Sequence, residues 1–164
     1  MAATITTGNL IGGPLTDLKI GTDGAEVSVG GTLAPLTYRK EVTFREFRTQ
    51  QTVGVVKKEE ATVRYFISTV LAEVTLENLR IALNQAASNL SASTLTVDED
   101  DLGEVSLLAE GPGPNSQTRT LDFPKVVSMA TGDVTVAQDG QQGISVEWEV
   151  VQDASTGAWF TVLN

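Results

Sequence analysis

Two long alternating stretches, residues 38–49 and 59–71, run almost at once into a segment with helical spacing, and this order of periodicities leaves few folds open. The first stretch contains no Gly or Pro. It places Tyr38, Lys40, Val42 and Phe44 on one side and Arg39, Glu41, Thr43 and Arg45 on the other. The second sets Val63, Tyr65, Ile67, Thr69 and Leu71 opposite Thr62, Arg64, Phe66 and Ser68. Each is about twice the ordinary strand length of ~5–6 residues. Paired as a hairpin, the two would reach about 40 Å at ~3.3 Å per residue, farther than a small domain needs to cover its core. Part of the hairpin is therefore expected to project. Its tip, residues 50–58, combines one glycine, three valines and two lysines, which suits either a contact loop or an ordinary flexible turn.

Behind the second strand the spacing changes from two to about 3.6. Thr75 is placed to cap a helix, Glu77 falls in its first turn, and Leu76, Leu79, Ala82 and Leu83 recur on one side. These features predict a helix over 76–84 whose leucines pack on the sheet, with Glu73 and Arg80 solvated. The remainder reads as short strands. At the N-terminal end they cover 4–7, 18–21 and 25–29, separated by Gly12-Gly13-Pro14, Thr22-Asp23-Gly24 and Gly30-Gly31. Later strands are expected at 105–109, 118–123, 125–130, 134–137, 144–151 and 159–163, with a loop at 111–115. A length of 164 residues suits one domain spanning 1–164, mainly β with one helix. In 144–151, Val146, Trp148 and Val150 alternate with Ser145, Glu147 and Glu149, an apolar face backed by an acidic one.

The composition removes much chemistry. With no Cys and no His, the chain lacks disulfides, thiolate nucleophiles, imidazole bases and the usual ligands of zinc, copper and haem. No Ser-x-x-Lys or Gly-x-Ser-x-Gly spacing supplies a nucleophile, so neither an enzyme nor a cofactor is expected. The net charge of −10 is concentrated at one end: residues 1–90 hold 9 acidic and 9 basic side chains, residues 91–164 hold 12 and 2. Such a balance lacks the basic patch by which a protein grips nucleic acid, and it also serves solubility. The run Asp98-Glu99-Asp100-Asp101 fails the calcium-loop pattern, because Leu102 and Ala109 stand where ligands are required, and it reads as a solvated loop. Gly111 and Gly113 open a dinucleotide-like loop that Pro112 and Pro114 strip of donors. Asn89-Leu90-Ser91 matches a glycosylation sequon by chance, since the N-terminus carries no secretory signal; no membrane partner is expected and the chain should stay in a cytosol.

The hairpin over 38–71, the junction Leu71-Ala-Glu-Val-Thr-Leu-Glu-Asn-Leu-Arg-Ile-Ala-Leu83 and the closing Val146-Glu-Trp-Glu-Val-Val-Gln-Asp153 and Trp159-Phe-Thr-Val162 patterns together resemble the major tail tube proteins of tailed phages, over about residues 4–163. The resemblance implies a β-sandwich or barrel-like fold with a long hairpin and one flanking helix. It further implies a virion protein assembled in the host cytoplasm as homohexameric rings, stacked into a tube that conducts DNA. Tape measure protein and DNA would pass through the lumen without specific binding, and tail tip or baseplate and terminator proteins would meet the ends of the tube. The family's ring-stacking loop maps onto Arg48, Thr49, Gln50, Gln51, Thr52, Val53, Gly54, Val55, Val56, Lys57 and Lys58, with Lys57 and Lys58 facing carboxylates of the next ring. Lumen-facing candidates are Glu147 and Glu149, then Glu41 and Glu60, whose hairpin also carries Arg39, Arg45 and Arg64. The alternative from another class is a monomeric β-sandwich binding or adhesion module of a tail or surface assembly, gripping its partner with the hairpin tip.

Overall fold

A computed structural model describes residues 14–49, 54–99, 101, 103–129, 134–135 and 142–164. The alternating segments become strands β1 (Asp17–Thr22), β2 (Ala25–Ser28), β3 (Thr37–Arg48) and β4 (Val55–Leu71), then helix α1 (Leu76–Ala82), then β5 (Glu104–Pro112), β6 (Thr118–Ser128), β7 (Val134–Thr135), β8 (Gly143–Val150) and β9 (Thr161–Leu163). All pair antiparallel in one sheet ordered β2-β1-β5-β6-β8-β4-β3, with β7 added to β8 and β9 to β6. The fold is mainly β with one flanking helix, as the periodicities predict. The strand expected at 4–7 lies outside the described residues.

One sheet encloses a core because it curls. Leu18 and Ile20 from β1, near one edge, join Ile67 and Leu71 from β4, near the other, in one buried cluster with Leu107, Phe123, Val126, Ile144 and Trp148. The bend falls in β6, which changes partner along its length: Thr120, Asp122 and Leu121 pair with β9, whereas Val126, Val127 and Ser128 pair with β8. Pro124 stands between the two halves, where the ladder with β5 slips register and a missing N–H costs nothing. The two strands expected at 118–123 and 125–130 are therefore one. The loop expected at 111–115 is also shorter, since β5 continues through Gly111 and Pro112 and the turn is a 3-10 segment at Pro114–Ser116.

The helix begins as its cap dictates, with the Thr75 hydroxyl accepting from the Asn78 N–H at 3.1 Å. It ends at Ala82, two residues short of the predicted end, and Asn84 takes a positive φ of 55°. Buried Asn78 ties the helix down, donating to Val29 O at 2.9 Å and Glu73 O at 2.8 Å. Gly30 shapes the turn beside it, its φ of 83° lying in the left-handed region that glycine adopts without strain. Glu73 itself is exposed. Arg80, expected in solvent, is only 8% exposed, because the short helix brings the Gln85 carbonyl within 2.9 Å of its Nη1 while Glu77 takes the rest of the guanidinium at 2.6 and 3.2 Å.

Candidate functional site: the projecting hairpin and its ion-paired face

β4 is held in two ways along its length. Residues 65–71 pair with β8 and, as far as Ser68, also with β3, whereas from 55 to 64 β3 is its only strand partner among the described residues. At the root, Ile67, Thr69 and Leu71 are buried, and Tyr65 meets Trp159 and Phe160 at ring distances of 5.3 and 5.7 Å. Phe160 also contacts Tyr38 and Phe123, so the segment after β8 clamps the base of the hairpin to the core. Beyond the root nearly every residue of both strands is exposed. Ten residues of β4 at ~3.3 Å each give an arm of about 30 Å.

The arm carries apolar groups with no core to fill. Phe44 is 56% exposed, Phe47 41% and Val56 56%; Val55 is exposed as well. Among the described residues β3 is an edge strand of twelve residues, and in soluble monomers such an edge invites pairing with another chain. Of the residues mapped to ring stacking, Gln50, Gln51, Thr52 and Val53 lie outside the described residues. Arg48, Thr49, Gly54, Val55, Val56, Lys57 and Lys58 form the described end of the arm, all exposed. Both lysines are engaged within the hairpin: Lys57 with Glu59, and Lys58 with Glu46 at 2.8 Å. Arg48 shares Glu46 at 3.0 Å. The Lys58 and Arg48 contacts hold the Glu46 carboxyl below its ordinary range.

At the root, the polar side of the hairpin holds a second feature. The register places Phe66 between Arg39 on β3 and Glu149 on β8, and Arg64 opposite Glu41. The Arg39 and Arg64 guanidinium carbons lie 4.8 and 4.9 Å from the Phe66 ring centroid. Arg64 is chelated by Glu149, with Nε to Oε1 at 2.6 Å and Nη2 to Oε2 at 2.5 Å, and this contact lowers the Glu149 pKa and raises that of Arg64. Arg39 divides its donors, Nε to Glu41 and Nη2 to Glu147, each at 3.1 Å. Under this cover Phe66 is only 6% exposed although it sits on the side opposite the core.

Three of the four lumen candidates, Glu41, Glu147 and Glu149, thus come together around one aromatic ring. Glu60 does not join them. The register slips between Thr43 and Phe44, setting Glu60 opposite Phe44, and Glu60 pairs with Lys40 at 3.3 Å on the other side of the hairpin. Strict alternation, counted from Arg64, misses this bulge. Of the helix residues expected to pack, Ala82 is buried, Leu79 packs on the core half-buried, and Leu76 and Leu83 are half-buried. Ile81, at 4% exposure, was missed; with Asn78 and Ala82 it forms the buried side of the helix, beside the one that the leucine spacing marks. Phe66 was also missed; a lone aromatic among Thr62, Arg64 and Ser68 is its only sequence signal.

The geometry defines a curled antiparallel sheet with a projecting arm that bears exposed apolar groups, and an ion-paired face at its root. No family model matches the chain, and no curated protein matches it. Among solved structures it is similar to a chain in the virion of a native gene transfer agent particle, with 10% identity and a TM-score of 0.52, over 90% of this chain and 96% of that one. At that identity the similarity shows a shared fold.

Proposed function

We propose that this chain is a phage-like virion structural protein, and specifically a tail tube subunit that forms hexameric rings stacked head to tail around a DNA-conducting channel. The observation that carries the reading is the arm: an exposed strand pair with uncovered Phe44, Phe47, Val55 and Val56, attached to a fold shared with a virion chain. An arm that meets a different surface on the next copy is a heterologous contact, and such contacts close into rings or continue as filaments. The end of the arm, residues 48–58, then stacks one ring on the next; because Lys57 and Lys58 already pair within the hairpin, the apolar groups supply most of that contact. Glu41, Glu147 and Glu149 face the channel, and α1 lies outside the sheet. The role is structural, with tail tip, terminator and tape measure proteins as partners.

Electron microscopy of the purified protein across a concentration series, with sedimentation, tests this. Hollow rings or tubes are expected, and removal of residues 51–57 should leave a folded subunit that no longer extends them. Tubes unchanged by that deletion would refute the stacking assignment. The second reading, a monomeric binding module of a tail or surface assembly, draws on the exposed Tyr38, Phe44 and Phe47, which also suit a partner-gripping arm. A chain that stays monomeric at every concentration and with a tail-initiation complex present favours it.

A further inference from the structure

We propose that the Arg39, Phe66 and Arg64 group is a phosphate-binding site that Glu147 and Glu149 keep masked. Two guanidiniums resting on one ring are pre-oriented cations, and their forked donors match a phosphate as well as a carboxylate. Here carboxylates occupy the forks. Glu149 chelates Arg64 along the edge a phosphodiester would take, and Arg39 is shared between Glu147 and Glu41. With Glu41, Glu147 and Glu149 against two arginines, the patch has one negative charge in excess. Arg45, farther along the arm, has no ion pair among the described residues, whereas Lys40, Arg48, Lys57 and Lys58 each meet a carboxylate, so Arg45 is the hairpin's own reference for an unmasked guanidinium.

The masking matters because repulsion by the net charge is short-ranged. At physiological salt the Debye length is about 8 Å, so a phosphate that reaches the wall responds mainly to the groups it touches. Two free guanidiniums would retain a polyphosphate chain, whereas two chelated ones release it. The inference rests on the proposed channel reading for its biological use, in which DNA slides past this face, but masking itself is a property of the single subunit.

The test uses the full chain, folded and unassembled, with a short labelled DNA duplex at low salt. Wild type should show no saturable binding. Glu147→Gln with Glu149→Gln should bind, with log affinity falling against log salt at a slope between about −1 and −2, the range for one to two phosphates at ~0.9 each, since Glu41 still meets Arg39. Adding Arg39→Gln and Arg64→Gln should abolish that binding, and inorganic phosphate should displace the duplex better than chloride at equal ionic strength. A folded double variant that ignores DNA, or equal displacement by phosphate and chloride, overturns the proposal. If the variant does not fold, wild type decides: phenylglyoxal should modify Arg45 several-fold faster than Arg39 and Arg64, and equal rates overturn masking. Masked arginines in tubes whose channel is lined by other residues would defeat the channel assignment and leave the masking standing.

Discussion

The two halves of the long hairpin have similar alternation and opposite fates. At the root, Tyr65, Ile67, Thr69 and Leu71 have β8 beside them, Tyr65 also meets the Trp159 and Phe160 clamp, and Ile67 and Leu71 belong to the core. Toward the tip, Phe44, Phe47, Val55 and Val56 belong to the same strand pair but lie past the end of β8, and they face solvent. Apolar side chains at a period of two specify a strand; whether that strand is buried depends on what lies across from it. The root serves stability, and the arm is left exposed.

Breaking the root should have the largest effect. Trp148→Ala empties the site opposite Ile67 on β8, and removal of so large a buried side chain costs about 3–5 kcal/mol, read by chemical denaturation. A loss below about 1 kcal/mol would mean that β8 does not anchor the hairpin. Phe66→Leu keeps apolar bulk but removes the ring beneath two guanidiniums, a loss of about 1–2 kcal/mol at ~0.5–1 each. That loss should shrink when Arg39 and Arg64 are replaced as well, and an undiminished loss would show that packing alone matters there. Thr75→Ala deletes the helix cap and should cost about 1 kcal/mol, lowering the Tm while leaving the arm untouched.

Phe44→Ser with Phe47→Ser sharpens the comparison from the other side. Stability should change by no more than about 0.5 kcal/mol per site, as for exposed positions, while rings or tubes are lost. A fall comparable to that of the root variants would place these rings in the core. The smallest effect belongs to Asp153, which accepts from the Ser155 and Thr156 hydroxyls, each at 2.7 Å, and so shapes the turn that leads to the Trp159 and Phe160 clamp. These bonds lower its pKa from the usual 3.8 to about 2. A depressed acid contributes stability that is present above pH 3.8 and lost as the pH falls through about 2. A carboxyl titration by NMR should show that low midpoint and should return toward 3.8 in Ser155→Ala with Thr156→Ala.

Much of this was legible in the chain. The strand pair, its faces, the Thr75 cap and the buried side of β8 all follow from local spacing, because period and capping are properties of neighbouring residues. What was missed shares one cause. Glu60 changes sides because β4 carries an extra residue at the bulge, Arg80 is buried because a carbonyl five residues on turns back to it, and residues 118–128 stay one strand because the sheet bends there with Pro124 at the slip. Each is a local departure from regular spacing, a bulge, a chain reversal after the helix or a register slip, that periodicity does not report.

The amino-acid sequence by itself determined the class of fold, the projecting hairpin and the poverty of catalytic side chains, since composition and periodicity are carried residue by residue. Only the tertiary structure decided which carboxylates share a face and what neutralises them. Phe66, Arg39 and Glu149 come from three strands, and the register that brings them together is set by long-range packing of the opposite, buried side of the sheet.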